Sequence, residues 1–369
     1  MTDAPTSWLL EQICKHASTQ SLWFSDENVL HQLPDAQAWL QKPALISNRW
    51  DIAEHATRLG FNAEFNDVDL TQIANNSIDH IFYRISKEKA VTHHLINQAQ
   101  RVLKPLGILW ISGQKNEGVK TYIEKASKLF GCAKNIQKDG MSYSSQLIKK
   151  NTHSQPLNKK LLDDSQLNNS LLNDTLLNDE NYRELRECLS VNNTNILSKP
   201  GQFGWNKIDQ GSEFLISQVT QHFLDGRRSF EHCLDLGCGY GYLTIASQHL
   251  PIKHRTLTDN NAAALITANA NCKHLRISAD IIASDAGEQL PPQFDLILCN
   301  PPFHQGFSVD GDLTDKFLRN AAKLLTATGA AYFVVNQFIS LEKKALPFFK
   351  QINLIAQNKS FKIIELQNN

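Results

Sequence analysis

The chain has 369 residues, 41% hydrophobic and 20% charged, with 37 basic and 37 acidic side chains. That length suits two domains of ordinary size, and the composition is that of a soluble globular protein. The balanced charge, which persists when the chain is split, argues against a nonspecific grip on long nucleic acid and leaves room only for a local basic patch. In chain order, Ser21–Phe24, Ala44–Ser47, 78–83 and 108–112 read as strands with helical stretches between them. His93-His94 falls in a helical stretch without metal-spaced partners and reads as a satisfied surface pair. Lysines at 115, 120, 125, 128, 134 and 138 could form a basic face for RNA, and a solvated amphipathic helix explains most of them equally well.

The character changes over residues 151–195. Leu-Leu-Asp/Asn-Asp units begin at Leu161, Leu171 and Leu176 amid Asn, Asp and Ser. Such polar low complexity cannot bury a core, so a linker or exposed insertion is expected between a first domain, 1–150, and a second, 196–369. The second domain alternates strand and helix more cleanly. Strands are expected at 232–236, 255–258, Asp280–Ala283, Phe294–Cys299 and 330–336. Helices are expected after the first turn to about 249, over 261–270 and over 315–325. Two last strands, 352–357 and 360–366, meet at Asn358-Lys359 as a terminal hairpin. The expected fold class is therefore α/β, with a parallel sheet covered on both faces.

Chemistry concentrates in this second domain. After its first strand comes Asp235-Leu236-Gly237-Cys238-Gly239-Tyr240-Gly241-Tyr242. Glycines here let the backbone turn tightly and approach a ligand without a Cβ in the way. The dinucleotide fingerprint would need glycine at position 242, which is Tyr, so Gly-x-Gly-x-Gly is the pattern instead. Asp259 ends the second strand, 20 residues beyond Gly239. A carboxylate there can accept from both hydroxyls of a ribose, in NAD or in S-adenosylmethionine, and can equally cap the next helix. Asp285, just past the third strand, fits either an acceptor for an adenine amino group or a turn former.

Asn300-Pro301-Pro302-Phe303 follows the fourth strand, at the carboxyl edge where open α/β sheets bind ligands. The amino group of a nucleobase is a poor nucleophile because its lone pair is delocalised into the ring. An Asn300 side-chain oxygen and a Pro301 carbonyl, each accepting one N–H, would draw that nitrogen toward tetrahedral geometry. Its lone pair would then point at an electrophilic methyl, with no strong general base required. Phe303 offers a flat face for a base taken out of its stack, and His304 beside it is a candidate substrate contact. The first 150 residues repeat the plan without the chemistry. SLWFSDENVL has no glycine, and Tyr83-Arg84-Ile85-Ser86 stands in place of Asn-Pro-Pro-Phe.

Pro200-Gly201-Gln202-Phe203-Gly204, Ile208-Asp209-Gln210-Gly211-Ser212, DLGCGYG and NPPFHQGF together resemble the small-subunit ribosomal RNA guanine-N2-methyltransferase C group. The resemblance spans nearly the whole chain outside 151–195. It is strong over 199–340 and weaker over 1–150, where Lys104-Pro105-Leu106-Gly107 and the run from Gly113 to Gly118 match best. It implies two Rossmann-like class I methyltransferase domains in tandem, the first degenerate, and S-adenosylmethionine as cofactor. It further implies methylation of a guanine N2 in 16S rRNA, with ribosomal RNA or the small subunit as partner. By the same resemblance Asn300, Pro301, Pro302 and Phe303 are catalytic, and Asp235, Gly237, Gly239, Gly241, Asp259 and Asp285 hold the cofactor. Phe203 and Gly204 would border its pocket, and Asp209 and Gly211 would start a covering helix. Trp205 departs from the pattern, standing where a basic residue is more usual, and the 151–195 insertion is atypical.

Three other readings compete: the related large-subunit enzyme, a release-factor glutamine-N5-methyltransferase, and an assembly factor without turnover. The glutamine enzymes end the motif in Tyr and carry a helical N-terminal bundle. No apolar run approaches the roughly 20 residues that span a bilayer, and the N-terminus lacks the pattern of a secretory signal. Seven cysteines without a Cys-x-x-Cys pair suit a reducing compartment. A cytoplasmic monomer without metal is expected.

Overall fold

The computed structural model describes residues 3–30, 32–33, 39–150, 176–191, 193–226, 229–302, 304–305, 308–309 and 311–369. Two compact units result, Met1–Tyr182 and Arg183–Asn369.

In the first unit the strands are β1 (Ser21–Phe24), β2 (Ala44–Ser47), β3 (Ala63–Phe65), β4 (Ile78–Arg84), β5 (Leu103–Gln114), β6 (Ile136–Asp139) and β7 (Ser142–Ile148). They form one sheet in the order β3-β2-β1-β4-β5-β7-β6. Pairing is parallel up to β5, and β7 is antiparallel to both β5 and β6. Helices α1 (Ala4–His16), α2 (Trp50–Arg58), α3 (Lys89–Val102) and α4 (Val119–Phe130) accompany it.

The second unit opens with an antiparallel hairpin, β8 (Arg186–Val191) and β9 (Thr194–Ser198). Then come α5 (Gln210–Gly226), β10 (Phe230–Leu236), α6 (Tyr242–Ala246), β11 (Ile252–Asp259), α7 (Ala262–His274), β12 (Asp280–Ala283) and β13 (Phe294–Cys299). A two-residue pairing of β14 (His304–Gln305) with β15 (Ser308–Val309) precedes α8 (Gly311–Leu324), β16 (Leu325–Asn336), α9 (Leu341–Ala345), β17 (Gln351–Gln357) and β18 (Phe361–Gln367). The main sheet runs β12-β11-β10-β13-β16-β18-β17, position for position the order of the first unit. It ends in the antiparallel hairpin that Asn358-Lys359 foretold.

Side chains alternate across this sheet with the period of two that strand geometry imposes. Leu296, Leu298, Ala330, Tyr332 and Val334 enter the core on one face. Ile297, Cys299, Ala331, Phe333 and Val335 enter the core on the other. Both faces are thus covered, which explains why β13 reads as a continuous apolar run from Leu296 to Cys299 rather than an alternating one.

Several expectations change. The helix after the glycine loop, α6, stops at Ala246 rather than near 249, with Ser247 as its C-cap donating its N–H to the Leu243 carbonyl at 3.0 Å. β16 starts at Leu325, not 330, with an irregularity opposite Phe294 and Leu296. A Cβ at Gly329 would lie 2.8 Å from the Phe294 carbonyl oxygen. The first unit repeats the device: Gly107 sits beside a break between Ile78 and His80, where a Cβ would lie 3.1 Å from the Ile78 oxygen.

The polar segment is not all linker. Residues 151–175, with Leu161 and Leu171, lie outside the described residues, but the stretch after Leu176 packs on the first unit. Leu177 N–H donates to Asn97 Oδ1 at 2.9 Å, and Tyr182, fully buried, donates to Asp67 Oδ1 at 2.5 Å. His93 and His94 are accordingly buried rather than on the surface. Their Nδ1 atoms meet the Asn178 carbonyl oxygen at 2.6 Å and Asp179 Oδ2 at 2.8 Å. The lysine series does not form one helix face either. Lys120, Lys125 and Lys128 lie on α4, Lys115 in a 3-10 turn and Lys138 on β6. Among the described residues no helix is long and apolar enough to cross a membrane, and no group of three or more His, Cys, Asp or Glu could hold a metal ion.

Candidate active site

β10 and β13 are neighbours with Leu236 opposite Cys299, so the glycine loop and the Asn300 turn leave adjacent strand ends together. Gly237, Gly239 and Gly241 all take left-handed backbone conformations, φ 78°, 54° and 89°. The outer two have neighbours where a Cβ would be: Phe317 at 3.2 Å from that of Gly237 and Leu257 at 3.3 Å from that of Gly241. At Gly239 a Cβ would meet nothing within 4 Å, so the middle glycine faces open space. That is the cradle a ligand needs to approach the backbone.

The loop is tied to β11. Gly237 and Cys238 N–H groups both donate to the Thr258 carbonyl, at 2.9 and 3.0 Å. Gly239 N–H donates to Asp259 Oδ2 at 2.9 Å, while Asp259 Oδ1 accepts from Asn261 N–H at 2.8 Å. These two amides set the plane of the carboxylate beside the open middle of the loop. The cap of α7 is Asn261, whose Oδ1 accepts from Ala263 N–H, and not Asp259.

Asp235, 1% exposed, accepts through Oδ2 from both the amide and the hydroxyl of Thr244, at 3.0 and 2.8 Å. Its Oδ1 is buried and has no hydrogen-bond partner among the described residues. Burial pushes this carboxyl up to about 7, with Asp259 adding to the rise and the Thr244 bonds opposing it. An orphaned acceptor beside the glycine loop fits a cationic ligand group. Asp285, the expected adenine acceptor, forms an ion pair with Lys316 of α8.

Asn300 is held from an unexpected side. Its Nδ2 donates to Asp209 Oδ2 at 2.7 Å and to Ser212 Oγ at 2.8 Å. The bonds bridge 91 and 88 positions of sequence, a separation no local pattern announces. Pro301 is buried and Pro302 exposed; Phe303 lies outside the described residues, as does the side chain of His304.

The loop before α5 closes the neighbourhood. Asn261 Nδ2 donates to the Gly201 carbonyl at 2.9 Å, and Gln202 Nε2 to Thr267 Oγ1 at 3.0 Å. Beyond this anchor Phe203 is 77% exposed, and Gly204 takes φ 65°. Trp205 carries the Arg186 guanidinium over its ring at 5.4 Å, which returns a basic group to the place where the sequence lacks one. Asn271 locks the β8–β9 hairpin to the glycine loop, bonding Leu197 through N–H and carbonyl and the Tyr240 carbonyl at 2.9 Å.

In the first unit Phe24 lies opposite Tyr83 as Leu236 lies opposite Cys299, which makes Arg84, and not Tyr83 as the sequence suggested, the counterpart of Asn300. Arg84 is 4% exposed and paired with both Asp3 and Glu117. Burial opposes its charge, but the two carboxylates outweigh it and raise the pKa above the usual range. A closed ion-pair cluster thus fills the position that offers an amide in the second unit.

Residues 193–365 match the methyltransferase small domain family. A Hamiltonella defensa protein named ribosomal RNA small subunit methyltransferase C is 35% identical over 176 residues, 47% of this chain and 51% of that one. The chain therefore spans about half the length of that relative. A Hahella chejuensis protein of the same name is 26% identical over 316 residues, 85% of each chain. In fold, the chain matches a T. thermophilus 16S rRNA N2 methyltransferase solved with AdoMet and guanosine, with a TM-score of 0.80 at 20% identity. The match covers 100% of this chain and 92% of that one.

A parallel sheet with a terminal antiparallel hairpin, bearing a glycine loop and a strand-end aspartate, is the fold of a class I methyltransferase. Two such units in tandem, only one with the loop, narrow the class further. The second unit carries the methyltransferase small domain, and along most of its length the chain is similar to proteins named ribosomal RNA small subunit methyltransferase C.

Proposed function

We propose that this chain methylates the exocyclic N2 amino group of a guanine in 16S rRNA, with the small ribosomal subunit or its RNA as substrate. The observation that carries the reading is the Asn300 amide. Its nitrogen is occupied by Asp209 and Ser212, which leaves the oxygen as the group offered at the carboxyl end of β13. A guanine N2 has two N–H donors, matching the Asn300 oxygen and the Pro301 carbonyl. Accepting both holds the nitrogen's lone pair out of the ring and in line for transfer. Bound there, S-adenosylmethionine would supply the electrophilic sulfonium methyl, with the neutral thioether as leaving group. The methylated nitrogen then loses one proton to water.

Asp259 is suited to the ribose hydroxyls, the open face of Gly239 to the cofactor backbone and the Asp235 Oδ1 to its ammonium group. Exposed Phe203 with Gly204 borders this pocket, and Asp285 serves the adenine amino group beside Lys316. The first unit, plugged at Arg84, holds no cofactor and serves structure or substrate positioning. A monomeric cytoplasmic enzyme fits this reading. Methyl transfer from labelled cofactor onto isolated 30S and 50S particles, followed by mapping of the modified nucleotide, tests the proposal. Label on one guanine N2 of 16S rRNA is expected; label confined to 50S, or found on protein, overturns it.

A further inference from the structure

We propose that Asp209 is a positioning residue that selects the orientation of the Asn300 amide, so that its oxygen rather than its nitrogen faces the substrate amino group. The inference deepens the methyl-transfer reading and rests on it for its kinetic consequences, although the orientation itself can be measured without substrate. An amide nitrogen carries two N–H donors, and both of those on Asn300 are used, one on Asp209 Oδ2 at 2.7 Å and one on Ser212 Oγ at 2.8 Å. The two partners are not equivalent. A serine hydroxyl can donate or accept and would tolerate either end of the amide, whereas a carboxylate only accepts. Reversing the amide would set the Asn300 oxygen against a carboxylate oxygen, so Asp209 makes the choice.

Asp209 is itself fixed. Its Oδ2 also accepts from Ser212 N–H at 2.8 Å, and its carbonyl accepts from Glu213 N–H at 3.0 Å as α5 begins. Gly211 leaves the space for this arrangement: a Cβ there would lie 3.0 Å from Asp209 Oδ2 and 3.1 Å from the Phe361 ring. The loop ending at Asp209 is anchored at Gly201 to Asn261, whose own N–H holds Asp259.

The test combines kinetics with direct observation of the amide. Asp209→Ala should lower kcat by about 10- to 100-fold, in the range of an orientation defect, while cofactor Kd moves less than about threefold. On an Asn300→Ala background the same substitution should cost less than about threefold, because the group it acts through is gone. Asp209→Asn, whose amide oxygen can serve Ser212 N–H and Asn300 together, should recover most of the lost turnover. Equal fold-losses on both backgrounds would mean that Asp209 acts elsewhere and would overturn the proposal. Should Asp209→Ala fail to fold, the wild-type chain still decides. With ¹⁵N-asparagine labelling, the Asn300 side-chain amide, assigned by its loss in Asn300→Ala, should exchange slowly with solvent. Exchange at the rate of a free amide overturns the proposal whether or not RNA is methylated. Absence of methyl transfer by a chain whose amide is protected would instead sink the functional reading alone.

Discussion

Asp235 and Asp259 lie at neighbouring strand ends, yet their environments separate their tasks. Asp259 has an amide on each oxygen, whereas Asp235 has both bonds on one oxygen and its carboxyl is pushed up to about 7 by burial. A carboxyl raised in the folded state binds its proton more tightly than in the unfolded chain. Its contribution to stability is therefore full below the unfolded value near 4 and is lost as pH rises toward 7. Cofactor binding should act in the opposite sense, since an ammonium group beside Oδ1 favours the ionised form. Affinity for S-adenosylmethionine is expected to rise through pH 6–7 and then level off, with proton release seen by calorimetry in buffers of different ionisation enthalpy. Affinity that is flat across this range would remove Asp235 from the cofactor site. Asp259→Ala should raise the cofactor Kd about 10-fold or more while sparing turnover at saturation. Asn300→Ala should do the reverse, lowering kcat by about 10²–10³-fold with cofactor affinity intact, as losses of preorganised polar groups do.

At the scale of elements, what the sequence reveals depends on how far apart the interacting residues lie. β10, β11, β13 and the last hairpin were legible because each shows its own period or turn. The glycine loop and Asn300-Pro301-Pro302 were legible because their residues are consecutive in the sequence, although the partners that hold them are not. By contrast, β8 and β9 hide inside a polar stretch because what secures them is Asn271, 74 positions away from Leu197. The segment at 177–182 likewise depends on Asn97, His93 and Asp67, so low complexity conceals a packed strap. The same holds for Arg84, which sequence shows only as a departure from the motif and the fold shows as the centre of a cluster. Removing one member of a buried ion pair strands the others. Arg84→Met is expected to cost roughly 3–5 kcal/mol of first-unit stability by leaving Asp3 and Glu117 unpaired, which urea denaturation of the full chain would register. A loss below about 1 kcal/mol would mean the cluster is solvated and the plug is weak.

For the whole molecule, the shared strand order and the repeated glycine break at Gly107 and Gly329 mark the two units as versions of one plan with different fates. The second keeps three left-handed glycines after its first strand. At the corresponding place the first has Ser25-Asp26, with the Ser25 hydroxyl and Asp26 Oδ2 buried without a hydrogen-bond partner among the described residues and the Asp26 carboxyl pushed by burial to about 7. An anionic ligand edge or a close-approaching ribose finds no cradle of glycine backbone there, and Arg84 occupies the strand end beyond. The chain should therefore bind one cofactor, not two. Calorimetry with S-adenosylhomocysteine is expected to give a stoichiometry near one per chain. At about 100 times its Kd the ligand should add roughly 2.7 kcal/mol to the unit that binds it. Hydrogen exchange can localise that gain. Protection should rise around residues 235–245 and 257–261 and stay unchanged at 21–30 and 83–86; protection appearing in the latter pair would show that the first unit still binds ligand.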